Sequence, residues 1–193
     1  MRSVKPTLVV MLKEPRAGRV KTRLGRDIGM VAAAWWFRHQ VRPLLRRLDD
    51  PRWNLLLAVA PDRAGMTSRV WPAHLPRIPQ GRGDLGDRMA RALCHPSHGP
   101  VCVIGGDIPD ITSARIDEAF KVLGTHDAVF GPADDGGYWL IGLRRVRAVP
   151  PTLFAGVRWS TEHALSDTVA TLSGHTIACV ATLRDVDTAA DLK

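Results

Sequence analysis

Six short apolar runs recur along this chain, and their spacing constrains the fold more than any other feature. They are Thr7 to Leu12, Leu55 to Ala60, Val101 to Gly105, Asp127 to Gly131, Tyr138 to Leu143 and Thr176 to Val180. Each is too short for a helix and rich in Val, Ile or Leu, which reads as a strand buried on both faces. Helical patterns fill the intervals. Residues Met30 to Leu48 place Trp36, Phe37, Val41, Leu44, Leu45 and Leu48 on one broad apolar face, with Pro43 predicting a kink or two helices. Leu85 to about Leu93 forms another helix. Thr112 or Ser113 caps one that runs to Leu123, Thr161-Glu162-His163 opens one that ends at Gly174, and a last short helix starts near Asp187. The segment from 63 to 79 reads as irregular with a short edge strand. Strands alternating with helices predict a single-domain, three-layer α/β/α fold on a mostly parallel mixed sheet. In such sheets ligands bind outside the carboxyl ends of the strands. That rule sorts the polar residues.

At 193 residues the chain has the size of one domain, and 45% hydrophobic with 24% charged residues excludes wholesale disorder. The only candidate linker, around His95 to Pro100, is too short to separate domains. No window approaches about 18 apolar residues. The N-terminus lacks the apolar core and cleavage site of a secretory signal, so a cytoplasmic protein is expected. The net charge of +8 points to an anionic partner. The arginines are scattered, no five-residue basic run occurs, and high Arg with abundant Ala and Gly fits a GC-rich coding sequence. A small phosphorylated substrate is therefore expected, and no nucleic acid. Cys94, Cys102 and Cys179 show no metal spacing. Cys102 and Cys179 sit in apolar runs and are expected to be buried.

Five constellations remain. Gly18-Arg19-Val20-Lys21-Thr22-Arg23-Leu24 belongs to a loop from Lys13 to Gly25 after the first strand. Its glycine lets backbone approach a ligand, and its Lys and Arg suit phosphate oxygens, though no P-loop spacing is present. Gln80-Gly81-Arg82-Gly83-Asp84-Leu85-Gly86-Asp87 is a glycine-rich loop before a helix, suited to an anion or a base edge. Gly105-Gly106-Asp107-Ile108-Pro109-Asp110 ends the third run. Asp107 there is a candidate ligand for a hard cation completed by substrate phosphates, and Asp110 is a ligand or a helix cap. Gly131-Pro132-Ala133-Asp134-Asp135-Gly136-Gly137-Tyr138-Trp139 reads as a tight substrate-facing loop, with one of the two aromatics stacking on a sugar or base and the other in the core. In Arg184-Asp185-Val186-Asp187-Thr188, Asp187 is either a helix cap or a second metal carboxylate. Near His163, no GxSxG elbow supports hydrolase chemistry, and Ser160 or Thr161 is expected to cap the helix.

Together these segments resemble the bacterial DUF2064 family, also called radical-SAM/selenodomain-associated transferase 1, of the nucleotide-diphospho-sugar transferase (GT-A) superfamily. The resemblance spans Pro15 to Leu24, Gln80 to Met89, Gly105 to Asp110, Gly131 to Leu143 and Leu183 to Thr188, and the Asp134-Asp135-Gly136-Gly137-Tyr138 stretch is its most specific part. The chain departs from the family's usual Ser-Asp-Cys-Pro at Gly106-Asp107-Ile108-Pro109, and no unambiguous D-x-D is read. The resemblance implies a GT-A-like fold, a nucleotide or nucleotide-sugar donor, an unknown small-molecule acceptor, and Mg²⁺ or Mn²⁺. It implies that Lys21, Thr22 and Arg23 face donor phosphates, with Gly18 in the same loop. Gln80, Gly81, Gly83 and Asp84 would lie near the base or sugar, Gly136, Gly137 and Tyr138 near the substrate, and Asp107 with Asp187 at the metal. Lys21 and Arg23 would stabilise the leaving group, and Asp134 or Asp135 would act as general base or orient the sugar. Glycosyl transfer is the first expectation. Nucleotidyl transfer from an NTP and a non-catalytic nucleotide-binding module are the alternatives. The aromatic surface of Trp35, Trp36, Trp53 and Trp71 suggests a homodimer interface.

Overall fold

The structure is a computed structural model that describes residues 4–95 and 99–192. Residues 96–98 of the candidate linker at 95–100 lie outside them, as do the first three of the N-terminus. Seven strands form one sheet: β1 (Thr7–Lys13), β2 (Asn54–Ala60), β3 (Arg77–Pro79), β4 (Val101–Gly105), β5 (Ala128–Pro132), β6 (Tyr138–Leu143) and β7 (Ile177–Cys179). Their order is β3-β2-β1-β4-β6-β5-β7. Every pairing is parallel except those of β6, which runs antiparallel to both β4 and β5. The connection from β5 to β6 is too short for a parallel crossover, which needs about a dozen residues. The strand must therefore turn straight back. β6 consequently begins at the edge of the sheet where β1 and β4 end.

The β-strand alternation divides the core into two layers. Leu8, Val10 and Leu12 of β1 face α2 (Met30–Leu48) and α5 (Ser113–Val122). Val9 faces the other way, in the layer that holds Met89, Ala92 and Leu93 of α4 (Leu85–Cys94). Leu8 and Leu12 are both essentially inaccessible to solvent. Each such leucine contributes roughly 2 kcal/mol relative to an exposed one. Both faces of the sheet are covered, as the six apolar runs require.

Several expectations are corrected. The 13–25 segment is not all loop, because α1 (Thr22–Ile28) starts directly after Lys21. Leu24 faces inward and is fully buried, and that anchors the helix. Residues Met30–Leu48 form one helix rather than two. Pro43 and His39 are exposed, so the carbonyl that Pro43 leaves unbonded is open to water, while Val41, Leu44, Leu45 and Leu48 hold the helix to the sheet. The 63–79 segment contains α3 (Asp62–Thr67) before the edge strand β3. The helix after residue 160 is α6 (Ala164–Ala170). His163 stands at its N-cap, and Thr161 Oγ1 instead donates to the Arg158 carbonyl and accepts the His163 amide. The last element is a single 3-10 turn, Ala189–Asp191. Cys102 is buried, but Cys179 is exposed because β7 lies at the sheet edge. Trp53 and Trp71 belong to the core and supply no interface, whereas Trp35 is exposed. No helix among the described residues is long and apolar enough to cross a membrane.

Candidate functional site

The site assembles at the carboxyl edge of β1 and β4. Lys21 stands between buried Val20 and the first turn of α1, with its backbone in the left-handed region (φ 45°, ψ 49°). A lysine rarely adopts this conformation without support. Its carbonyl accepts the Gly25 amide at 2.8 Å, the opening bond of the helix. Asp107 follows the end of β4. Asp185 and Asp187 arrive on the segment after β7, which continues beside β5: the Val180 amide donates to the Phe130 carbonyl at 2.8 Å, and Leu183 to Pro132 at 3.1 Å. The Trp139 indole N–H fixes this segment from β6, donating to the Ala181 carbonyl at 3.0 Å. Val186 turns inward, so the acids on either side of it share the opposite face.

These segments converge on one amine. Lys21 Nζ lies 2.9 Å from Asp107 Oδ2, 2.9 Å from Asp185 Oδ1 and 3.5 Å from Asp187 Oδ1. Its side chain is 6% exposed, against 37%, 28% and 32% for the three aspartates, so the carboxylates shield the ammonium from water. Burial pulls the lysine pKa down, but Asp107 and then Asp185 outweigh it and hold the amine well above its ordinary value. Burial, followed by the charge of Asp107, pushes the Asp185 carboxyl up to about 6. Arg23 Nη1 binds Asp187 Oδ2 at 2.8 Å. Asp187 is thus no helix cap: Thr188 holds that position, in a capping box with Asp191.

One hollow opens beside Lys21 and Asp107, and a second adjoins the first. The first, of about 370 Å³, is lined by Met11, Arg19, Lys21, Thr22, Gln80, Gly105, Gly106, Asp107, Tyr138 and Trp139, among others. The second, of about 640 Å³, shares Lys13 and Arg19 with it and adds Glu14, Arg16, Asp62, Gly81, Arg82, Gly83 and Arg88. The first is the size of a small-ligand pocket. The second is rimmed by arginine.

The expected residues divide. Lys21, Thr22, Gln80, Asp107 and Tyr138 line the first hollow, and Gly81 and Gly83 the second. Lys21 faces carboxylates here rather than open space, and Arg23 is paired with Asp187. Gly18 lines neither hollow. Its positive φ of 73° serves the turn closed by the Arg19 amide on the Arg16 carbonyl. Gln80 is also a structural pin, with Nε2 donating to the Leu12 and Ala58 carbonyls. Asp84 caps α4 in a reciprocal box with Asp87, so its carboxylate is committed to the helix. Asp134, Asp135, Gly136 and Gly137 line neither hollow. Asp135 Oδ1 accepts the Gly137 amide at 2.9 Å, and Gly136 packs so tightly on the Glu162 backbone that no Cβ fits. This hairpin is built as a turn. Tyr138 stands edge-on to Phe130 with its hydroxyl 3.3 Å from Thr168 Oγ1, and Trp139 is the core aromatic of the two. Asp110 lines a third hollow together with Trp36, Arg184 and Asp185 of the hub.

Sequence reasoning passed over Asp185 and Glu14. Asp185-Val186-Asp187 does have D-x-D spacing, and in extended chain that spacing puts both acids on one face. Glu14 Oε2 is buried without a hydrogen-bond partner among the described residues, at the rim of the arginine-lined hollow. No sequence signal marks it.

Comparison with known proteins agrees with this architecture. A crystal structure of a protein from Desulfovibrio desulfuricans G20, assigned as a nucleotide-diphospho-sugar transferase, is 30% identical and superposes with a TM-score of 0.82, covering 95% of this chain and 83% of that one. Rv0371c of Mycobacterium tuberculosis H37Rv, in complex with manganese, is 20% identical with a TM-score of 0.52, over 98% and 96% of the two chains. The 4-diphosphocytidyl-2C-methyl-D-erythritol synthase of Anaerococcus prevotii DSM 20548 is 9% identical with a TM-score of 0.60, over 96% and 94%. The last two are similar in fold alone. No curated protein matches. Residues 44–161 match the DUF2064 family, described as an uncharacterized protein conserved in bacteria. With more than half of its length matched and its sheet shared with a GT-A-like relative at 30% identity, the chain belongs to the DUF2064 family.

Proposed function

We propose that this protein is a divalent-cation-dependent transferase that draws on a nucleotide-activated donor, a nucleotide-diphosphate sugar in the first reading. The observation that carries the reading is the convergence of Asp107, Asp185 and Asp187 on one cationic group at the mouth of a ligand-sized hollow. The relative assigned as a nucleotide-diphospho-sugar transferase supports the donor class.

The donor set suits Mg²⁺ or Mn²⁺. Asp107 after β4, with Asp185 and Asp187 on the segment after β7, supplies hard carboxylate oxygens from two segments of the chain. No three acidic, His or Cys groups among the described residues stand ready to enclose an ion unaided. In this reading the ion is held by one or two of the carboxylates and finished by substrate phosphates. A bound cation would neutralise charge on the departing diphosphate. The protein's own residues do the rest. Asp107 and Asp187 orient that charge centre, and Gly105 and Gly106 keep the strand end low enough for a ligand to approach. Arg19 and Lys13, shared by both hollows, span the path between them and offer charge to the phosphates. Asp134 and Asp135 line neither hollow, and this reading gives them no role.

The arginine-lined hollow favours a second reading, transfer of a nucleotidyl group from an NTP, since Arg16, Arg82 and Arg88 suit an additional phosphate. Thermal shift with NTPs, NDP-sugars and NDPs, each with and without Mg²⁺ or Mn²⁺, on wild type and Asp107→Asn separates the two. Binding to the folded state raises its stability with occupancy. A metal-dependent shift by one NDP-sugar, lost in Asp107→Asn, is the expected result. A shift by NTPs alone moves the assignment to nucleotidyl transfer. Shifts indifferent to metal and to Asp107 overturn the metal role.

A further inference from the structure

The hub already contains a cation. Lys21 Nζ occupies the point on which the three carboxylates converge, at 2.9, 2.9 and 3.5 Å, and it is almost sealed from solvent. A divalent ion held by one or two of these carboxylates would lie beside the lysine ammonium, and the two would repel each other at close range. The two therefore compete for one position. The geometry gives the lysine somewhere to go. Buried Val20 and Leu24 flank it in sequence, and its four-carbon stem has the rotatable bonds to carry the amine away from the carboxylates. It also lines the first hollow, so the amine can leave the carboxylates without unfolding α1. Arg23 makes a weaker version of the same arrangement, since it is 59% exposed and grips Asp187 alone.

We propose that Lys21 is a resident rival of the divalent cation: in the ligand-free protein it neutralises the Asp107–Asp185–Asp187 cluster, and metal loading requires it to swing out into the hollow. The same swing turns a charge that holds the empty site together into one that faces the donor's phosphates. Lys21 thereby sets metal affinity and couples cation entry to the arrival of an anionic donor. This inference rests on the metal reading above.

Its test uses Mn²⁺ alone, titrated into the whole protein and followed by loss of the free-ion electron paramagnetic resonance signal. Wild type, Lys21→Met and Asp107→Asn are compared, with folding checked by circular dichroism. Lys21→Met is expected to bind Mn²⁺ at least about tenfold more tightly than wild type, the factor that 1.4 kcal/mol of lost competition produces. Equal or weaker binding overturns the inference. In the unaltered protein, reductive methylation of Lys21, read by peptide mass spectrometry, is expected to speed up when Mg²⁺ is added. An unchanged rate overturns the inference even where Lys21→Met fails to fold. Asp107→Asn keeps the two claims apart: if it binds Mn²⁺ as well as wild type, the metal reading itself fails, whatever Lys21 does.

Discussion

Gly131 offers a direct test of how the site's acids are held. A Cβ built at this position runs into the Trp139 ring, with Nε1 at 2.5 Å and Cζ2 at 2.8 Å. That ring is 3% exposed, and its N–H is the bond that holds the Ala181 carbonyl. In Gly131→Ala the indole must move. Overpacking a well-filled core costs about 1–3 kcal/mol, and weakening the indole hydrogen bond adds about 1 kcal/mol. The expected loss is about 2–4 kcal/mol, measured as a lower urea midpoint with an unchanged slope. Trp139→Val ends the side chain at Cγ and so removes all three ring atoms that the new methyl meets. In that background the same substitution should cost under about 1 kcal/mol, a coupling well above the roughly 0.5 kcal/mol scatter of independent sites. Additive losses, or a Gly131→Ala protein as stable as wild type, would refute the assigned contact. Because Trp139 fixes Ala181, the single variant should also bind Mn²⁺ more weakly.

Other expectations follow from local chemistry. The Arg77 guanidinium donates to the carbonyls of Gly65, Met66, Ser68, Trp71 and Pro72, so Arg77→Met should lower stability by about 2–3 kcal/mol in urea melts, with the 61–76 segment losing hydrogen-exchange protection first. The fork of Arg158 on Asp167 holds that carboxyl down to about 2. Its stabilisation is complete above the ordinary carboxylate value of 3.8 and fades as pH falls from there towards 2, so wild type should lose more stability across that window than Asp167→Asn. A carboxyl NMR titration that finds Asp167 near 3.8 would contradict this. Iodoacetamide should modify Cys94 and Cys179 in the native protein and spare Cys102, whose thiol is buried and pushed up in pKa, until denaturant is added.

The sequence made β1, β2 and β4 legible because strands buried on both faces leave unbroken apolar runs. The direction of β6 was harder, since Tyr138 to Leu143 reads the same in either sense. Only the short connection after β5 reveals it. Asp107 was legible as the acid that ends a buried strand. Asp185 was not, because its importance depends on Leu183 and Trp139 drawing a loop onto the sheet edge, and such contacts leave no local pattern. The acids of the 133–137 hairpin show how local chemistry can mislead. Paired aspartates among glycines look like chemistry, yet Asp135 spends its carboxylate on the Gly137 amide and Gly136 meets the Glu162 backbone. Composition does not distinguish a turn's own hydrogen bonds from a ligand's.

The distance along the chain between Lys21 and its partners has a consequence in time. Asp185 and Asp187 lie 164 and 166 residues beyond the lysine they bind. During synthesis, β1, β2 and β4 are available to pair long before these acids emerge, and bringing such remote segments together is the entropically costly part of folding. A nascent chain halted after β7 would hold all seven strands, with Lys21 facing Asp107 alone. The cation hub is then a completion mark: it forms only when residues past 180 have been made and laid along β5, so a truncated product is denied the site even where its sheet is whole.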